Sequence, residues 1–197
     1  MRREWNEMKL IGRKKMEKNF EHLAWTKKST EHIVKNEWID FRETVYAFPD
    51  GTERGHFYTF TKKNFVVIVA RTAECKYLCV WQYRQGIDQI TCEFPAGGME
   101  EGENPLDCAK RELMEETGYT SDSWTHLIAV PTNATVCDNI VNIYFADNCI
   151  EVGEQNLDDT EYLNVEVVDE EELERRIFSG GFQQSDHIMG YLLSKRI

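Results

Sequence analysis

The sequence contains no apolar run long enough to cross a membrane, and its basic start is not followed by the apolar core of a secretory signal peptide. We therefore expect a soluble, cytoplasmic protein with no membrane partner. The glycine patterns typical of Rossmann-type and P-loop nucleotide sites are also absent. These absences direct attention to other ways of binding phosphate.

Clustered cysteines and histidines are missing as well. The six cysteines and five histidines are dispersed, and no two cysteines form a CxxC pair. A zinc site is therefore not predicted, and the cysteines are expected to be buried free thiols.

Positive charge is scarce outside the first 20 residues. The chain has a net charge of −12, whereas residues 1–20 alone hold seven Lys or Arg against three Glu. The acidic remainder argues against non-specific binding to nucleic acid, so no nucleic-acid partner is expected. Residues 1–30 are predicted to be a basic, loosely ordered extension without an assigned function.

Hydrophobic patterning predicts one substantial core, since 41% of the 197 residues are hydrophobic. Asn64–Ala70 is continuously apolar and rich in β-branched residues, which is typical of a strand buried on both faces. Further strands are predicted at Lys76–Arg84, Trp124–Val130, Ile140–Ala146 and Leu163–Val168, and helices at Asp169–Phe178 and Asp186–Lys195.

A helix with both ends marked is predicted from Asn104 to Gly118. Asn104 is a favourable N-cap, Pro105 suits the first helical position, and Gly118 suits the left-handed residue after a helix. One face is apolar and consists of Leu106, Ala109 and Leu113. A second face, about a third of a turn away, carries three carboxylates, those of Glu112, Glu115 and Glu116.

Three carboxylates this close repel one another, and a helix does not need them for stability. A hard divalent cation removes the conflict, because Mg²⁺ and Mn²⁺ prefer oxygen ligands. A solvated acidic face is the alternative. The metal site is favoured here, because a double glycine, Glu103 and Arg111 accompany the carboxylates at fixed spacings.

The same stretch resembles a complete Nudix box. Its signature is Gly97, five residues, Glu103, seven residues, and then Arg111-Glu112-Leu113-x-Glu115-Glu116-x-Gly118-Tyr119. The resemblance implies an α/β (α+β) fold over residues 63–197, namely an α/β/α sandwich around a mixed β-sheet. It also implies hydrolysis of a nucleoside diphosphate linked to another moiety, with Mg²⁺ as cofactor and Mn²⁺ as a second suitable ion.

The resemblance further implies a set of site residues. The metal ligands expected from the box are the Ala96 carbonyl, Glu112, Glu115 and Glu116. Arg111 is expected to orient neighbouring carboxylates and is assigned with Glu115 to the catalytic group, whereas its alternative role is a surface salt bridge. The double glycine, Gly97 and Gly98, is assigned to substrate binding.

Two segments before the box resemble the ADP-sugar group of Nudix hydrolases. The first is Gln82-Tyr83-Arg84, whose arginine lies near the substrate in that group. Arginine matches phosphate oxygens well, although a structural salt bridge is the alternative for Arg84. The second is Glu93-Phe94-Pro95-Ala96, in which Glu93 is assigned to substrate binding with a backbone cap as its alternative.

A late acidic loop, residues 151–161, is predicted before the strand Leu163–Val168. In the resembled group this loop supplies a carboxylate to the metals or to the catalytic water. Glu161 is the best match and Asp159 the second, so both are candidate bases beside a glutamate of the box, and the sequence does not decide among them. Glu161 is also a candidate ligand. The alternative is a solvated acidic loop.

A β-hairpin is predicted before the box domain, within residues 31–62. Its strands are Glu37–Phe48 and His56–Thr61, and Pro49-Asp50-Gly51 forms the turn. By resemblance this sheet contributes to a homodimer and to the nucleoside pocket. Trp38 is assigned to stacking on the base, with a role in the core or the dimer interface as the alternative.

These residues predict a Mg²⁺-dependent hydrolase for a nucleoside diphosphate sugar, with ADP-ribose favoured. The loop after Pro131 holds Asn133 and Ala134 where ADP-ribose pyrophosphatases carry a characteristic proline, which weakens the ADP-ribose assignment. GDP-mannose, reduced nicotinamide dinucleotide and dinucleoside polyphosphates are alternative substrates. A non-catalytic nucleotide sensor and a glycosidase are alternative functions, and clustered acids on one helix disfavour the glycosidase.

Overall fold

The computed structural model of the chain describes residues 20–197. Of the basic extension predicted for residues 1–30, residues 1–19 lie outside the described part. The chain divides into two compact units, Met1–Thr61 and Lys62–Ile197. A single turn of 3-10 helix, Glu21–Leu23, precedes the first strand.

The first unit contains a three-stranded antiparallel sheet in the order β1-β2-β3. Its strands are β1 (Thr26–Lys35), β2 (Asp40–Ala47) and β3 (Glu53–Thr61). β2 and β3 occupy the stretch of the predicted hairpin, and Gly51, with a φ of 80°, lies in the turn between them. β1 is not predicted from the sequence, because its residues are mostly polar and exposed and show no alternation.

The second unit, which is described throughout, holds eight strands and three helices. In chain order they are β4 (Phe65–Thr72), β5 (Tyr77–Arg84), β6 (Gln89–Glu93), β7 (Ala96–Gly98), α1 (Pro105–Thr117), β8 (Tyr119–Thr120), β9 (Ser123–Pro131), β10 (Ile140–Glu151), β11 (Leu163–Val168), α2 (Glu170–Ser179) and α3 (Ser185–Ser194). Among the described residues, no helix is both long and apolar enough to span a membrane.

These strands form one mixed sheet with the order β11-β5-β4-β10-β8, in which β6, β7 and β9 pair with β5, β4 and β10. β10 runs parallel to β4, whereas the other pairs are antiparallel. β10 is longer than predicted, because its far end pairs with the short strand β8. That pairing joins residues about 30 positions apart and leaves no local sequence pattern.

Helices cover both faces of the sheet, which confirms the predicted α/β/α sandwich. Side chains of β4 alternate between two buried clusters. One cluster joins Ile68 to Leu113 of α1, and the other joins Val67 to Leu173 of α2 and Tyr191 of α3. β4 is continuously apolar because both of its faces are buried, as predicted.

Both ends of α1 match their sequence signals. The side chain of Asn104 accepts a hydrogen bond from the Leu106 N–H at 2.9 Å. Gly118 ends the helix with a φ of 75°, and a Cβ there would lie 2.2 Å from the Gly153 carbonyl oxygen. Since the Val152 N–H also donates to the Gly118 carbonyl at 2.9 Å, the segment after β10 docks closely on this helix end. The acidic loop therefore begins beside α1.

All six cysteines are free thiols. The prediction that they are buried is wrong for two of them. Cys75 is exposed in the turn before β5, and Cys137 is only partly buried between β9 and β10. The other four lie in the core, where they pack as small apolar side chains.

Candidate metal centre

Three carboxylates converge in the second unit. Glu112, Glu116 and Glu161 each offer an oxygen, and these oxygens lie within 4.8 Å of one another. Glu112 and Glu116 are neighbours on adjacent turns of α1, whereas Glu161 comes from the loop before β11. Glu112 and Glu116 are only 5% and 2% exposed. The fold thus brings the loop carboxylate to the acidic face of the helix.

Burial makes ionisation of this group unfavourable. It raises the pKa of Glu112 to about 7. The charge and hydrogen bond of Arg111 oppose this shift, whereas the charges of Glu161 and Glu115 add to it. Burial also raises the pKa of Glu116 well above its usual range, although an N–H donated by Ala96 opposes the shift. The donor set is made only of carboxylate oxygens, so it fits a hard divalent cation such as Mg²⁺ or Mn²⁺.

The raised pKa of Glu112 predicts a pH-dependent stability for the metal-free protein. Below about pH 4.5 the carboxyl is protonated in both folded and unfolded chains. As the pH rises to about 7, the unfolded chain ionises first, so the folded state loses about 3 kcal/mol from this group. Urea unfolding in EDTA at pH 5 and pH 8 measures the loss. Glu112→Gln should show a smaller loss than the wild type, and equal losses would contradict the shift.

Arg111 connects the carboxylates of the box. Its Nε and Nη2 donate to Glu103 at 2.9 and 3.0 Å, and its Nη1 donates to Glu112 at 2.8 Å and to Glu115 at 2.9 Å. The hydrogen bonds from Arg111 lower the pKa of Glu103 to about 2. Arg111 is therefore placed to orient neighbouring carboxylates. Glu115 is hydrogen-bonded to Arg111 and is not one of the three converging carboxylates.

The short strand β7 provides the opposite wall of the carboxylate group. The Ala96 N–H donates to Glu116 at 2.9 Å. A Cβ at Gly97 would lie 2.0 Å from the carboxyl carbon of Glu112, so only glycine leaves room for that carboxylate. The Gly98 carbonyl accepts from Arg111 at 3.2 Å. The double glycine thus lies against the box carboxylates, and its role in substrate binding stays a prediction.

Arg84 and Glu93 form a bidentate ion pair beside the group. The Arg84 guanidinium donates to the two oxygens of Glu93 at 2.8 and 2.5 Å. Burial opposes ionisation of Glu93, which is 0% exposed, but hydrogen bonds from Arg84 and Thr91 outweigh it and lower the pKa of Glu93. The side chain of Arg84 is 34% exposed, so part of the guanidinium stays open.

Arg84 also lies near the grouped carboxylates. The charges of Glu116 and Glu161 both favour its protonated form. The ion pair foreseen as the alternative for Arg84 is present, and the open part of the guanidinium leaves the substrate assignment as a prediction. Glu93 lies against Arg84 and is not one of the three grouped carboxylates.

The two candidate bases of the acidic loop, Glu161 and Asp159, lie in different surroundings. The Asp158 N–H donates to the Glu161 carboxylate at 3.1 Å, and the Glu161 N–H donates to the Asp158 carbonyl at 2.9 Å. This tight turn orients Glu161 toward α1, whereas Asp159 is exposed and outside the group. Trp38 lies in the first unit between β1 and β2 and is 70% exposed. Its stacking role stays a prediction.

Two residues near the site have no assigned role in the sequence analysis. His187 accepts a hydrogen bond from the Phe94 N–H, and Gln184 donates one to Glu93. Both are more than 90 positions away from the residues they contact. The local sequence shows only a polar residue before the helix and a polar residue in its first turn, and neither feature indicates a partner.

Comparisons with known proteins agree with the geometry. The NUDIX domain model matches residues 60–185. An ADP-ribose pyrophosphatase of Bacillus subtilis is 38% identical over 101 residues, which cover 51% of this chain and 55% of that protein. A methanol dehydrogenase activator of Bacillus methanolicus is 35% identical, covering 59% and 65%. An ADP-sugar pyrophosphatase of Mus musculus is 32% identical, covering 57% and 63%. The chain thus spans between about half and two thirds of each of these relatives.

A solved structure supports the same fold. The crystal structure of an ADP compounds hydrolase superposes with a TM-score of 0.77 at 19% identity, covering 88% of this chain and 93% of that one. At this identity the likeness concerns the fold alone. Because the domain model spans more than half of the chain and includes the whole box, the resemblance read from the sequence is confirmed. The chain belongs to the NUDIX domain family.

Proposed function

We propose that the protein is a divalent-cation-dependent pyrophosphohydrolase that cleaves the diphosphate of a nucleoside diphosphate sugar, with Mg²⁺ as the resident ion and ADP-ribose as the favoured substrate. The observation that carries the proposal is the convergence of Glu112, Glu116 and Glu161. The printed names of the Bacillus subtilis and Mus musculus relatives support the substrate class.

Glu112, Glu116 and Glu161 would hold the cation, and the Ala96 carbonyl and Glu115 are further candidate ligands. When bound, the cation neutralises the diphosphate and lowers the pKa of an attacking water. Arg111 keeps Glu112 and Glu115 in place through its Nη1. These contacts hold two of the candidate ligands in one orientation before substrate arrives.

Arg84 would bind a phosphate oxygen of the substrate with the part of its guanidinium that Glu93 leaves open. Because Glu93 takes two of the donors, the orientation of the guanidinium plane is set by the protein. An arginine held in this way loses little conformational freedom on binding. It therefore orients the diphosphate relative to the carboxylates.

A matched pair of variants tests the base. Glu161→Gln is expected to lower kcat by about 100-fold or more, because it removes a carboxylate that is both a candidate base and a candidate cation ligand. Asp159→Asn, only two residues away in the same loop, is expected to stay within about threefold of the wild type because it lies outside the group. An equal loss in both variants would remove Glu161 as the preferred base and point to a role of the whole loop.

Turnover on a substrate panel tests the function. The panel contains ADP-ribose, ADP-glucose, GDP-mannose, reduced nicotinamide dinucleotide and a diadenosine polyphosphate, with Mg²⁺ and a coupled phosphatase that releases inorganic phosphate from the monophosphate products. Glu116→Gln is the blank. Preference for ADP-ribose or another nucleotide sugar supports the proposal. No turnover on any member, together with metal-independent binding of one, would replace it with the sensor function.

We also propose a homodimer that uses the first unit. Large apolar side chains are exposed there, namely those of Trp25, Ile33, Val34, Trp38 and Tyr58. Exposed apolar surface of this extent favours association. Sedimentation equilibrium at micromolar concentration should give twice the mass of the chain, and a monomer at all concentrations would contradict the proposal.

A further inference from the structure

We propose that the first turn of α3 positions the catalytic face of the site, with His187 holding the backbone of Phe94 and Gln184 holding the carboxylate of Glu93. Both are positioning residues, because each acts through another residue. The inference rests on the proposed function: its metal-binding consequence needs the proposed cation site, and its catalytic meaning needs the proposed reaction as well.

His187 is a permanent acceptor inside the core. It is 3% exposed, and its Nδ1 accepts the Phe94 N–H at 3.0 Å. An accepting Nδ1 places the ring proton on Nε2. Burial lowers the pKa of His187 to about 4, so the ring stays neutral at physiological pH. The hydrogen bond is therefore present wherever the protein is folded and active.

Phe94 needs this acceptor because the sheet stops there. Pairing of β6 with β5 ends at Glu93, and β7 begins only at Ala96. Phe94 is fully buried, and its N–H has no partner on a neighbouring strand. A buried N–H without an acceptor would lower the stability of the folded protein. His187 supplies the missing partner from a different element. It also stacks parallel to the Phe94 ring, with an interplanar angle of 4°.

The turn that His187 holds is part of the metal centre. The Pro95 carbonyl accepts from the Ile68 N–H at 2.9 Å, which fixes the turn to β4. The Ala96 N–H then donates to Glu116 at 2.9 Å. Residues 94–96 are therefore attached to α3 through His187, to β4 and to the carboxylate of Glu116. Loss of the first attachment frees the end of the turn nearest β6.

Gln184 performs the equivalent task for the ion pair. It occupies the N-cap position of α3, yet its side chain makes no capping hydrogen bond. Instead its Nε2 donates to Glu93 at 3.3 Å. The same carboxylate accepts from Arg84 and from the Thr91 hydroxyl. Gln184 is the donor contributed by α3, so it couples the helix to the orientation of Arg84.

Two variants of His187 separate positioning from simple packing. His187→Phe keeps the ring volume and removes the acceptor, whereas His187→Asn keeps an acceptor near the Nδ1 position and removes ring volume. His187→Phe is expected to weaken binding of Mn²⁺ to the metal-free protein by about tenfold, the usual effect of losing support around a metal site. His187→Asn should stay within about threefold while melting at a lower temperature.

Isothermal titration with Mn²⁺ and thermal melting decide between the two roles. His187 is a positioning residue if His187→Phe loses Mn²⁺ affinity while His187→Asn keeps it, and if His187→Asn has the lower melting temperature. If affinity falls with melting temperature in both variants, or stays unchanged in folded His187→Phe, the proposal is overturned. This readout needs no turnover, so it separates failure of the positioning role from failure of the proposed reaction. Absence of Mn²⁺ binding in the wild type would overturn the cation site and this proposal together.

Gln184 has a matched control in its neighbour Gln183, whose side chain contacts exposed Gln89 at 3.4 Å. Gln184→Met is expected to raise KM for the nucleotide sugar, and the Kd for ADP in the presence of Mg²⁺, by about fivefold, with kcat within twofold. Gln183→Met should change neither. Equal KM and equal Kd for ADP in Gln184→Met and Gln183→Met would overturn the positioning role of Gln184. The ADP titration decides it even if no substrate turns over.

Discussion

Glu116→Gln is expected to lower turnover by on the order of 10³-fold, because metal ions supply several kcal/mol to hydrolysis of this kind and Glu116 is a central ligand of the proposed site. The structural reason is its position. It is 2% exposed, accepts the Ala96 N–H and lies within 4.8 Å of the oxygens of Glu112 and Glu161. A neutral amide in that place binds a hard cation poorly.

The same substitution is expected to stabilise the metal-free protein. Burial raises the pKa of Glu116 well above its usual range, and nearby Glu112 and Glu161 add to the effect. At pH 8 the wild type must either bury this charge or take up a proton on folding, and glutamine requires neither. The free energy of urea unfolding in EDTA should therefore rise, while the gain in melting temperature on adding Mg²⁺ should shrink.

Glu101→Gln serves as the control, because Glu101 is exposed in the loop before α1. It should match the wild type in turnover, in metal-free stability and in the response to Mg²⁺. A marked loss of metal-free stability in Glu116→Gln with turnover retained would assign Glu116 to the scaffold and remove it from the site.

Gly97→Ala is expected to have the second largest effect on the site. The new Cβ would lie 2.0 Å from the carboxyl carbon of Glu112, closer than any real contact, so Glu112 or β7 has to move. Displacements of about 1 Å in a catalytic arrangement can cost about 100-fold in rate. We expect a loss of this order in kcat/KM and a weakened affinity for Mn²⁺ measured by titration.

Gly98→Ala provides a control one residue away. A Cβ at that position would meet only the side chain of Lys63, at 3.9 Å, which is an ordinary contact. Its affinity for Mn²⁺ and its free energy of unfolding should stay close to those of the wild type. Equal loss of metal affinity in both variants would mean that β7 tolerates no side chain for reasons other than the Glu112 carboxylate.

Local signals in the sequence were sufficient for the box helix and for the layered fold. Asn104 and Gly118 mark the two ends of α1, and both have the predicted geometry. The unbroken apolar run of β4 requires cover on both faces, which a sandwich supplies. These predictions succeed because capping and burial depend on residues close together in the chain.

Contacts between distant segments were beyond reach of the sequence. β1 is polar on both faces and was not predicted, and the far end of β10 extends only because β8 pairs with it. The sequence left Arg84 between a phosphate contact and a salt bridge, and the structure supplies its bidentate partner, Glu93. No local periodicity encodes such a partner.

The sequence alone determined the family and the three carboxylates on one face of α1, because these reside in one continuous stretch of 23 residues, 97–119. The tertiary structure decided which loop carboxylate joins the helix, how Arg84 is held and that α3 supports the turn at Phe94. Those choices depend on burial and on hydrogen bonds between segments far apart in the chain. They exist only once the sheet has brought the segments together.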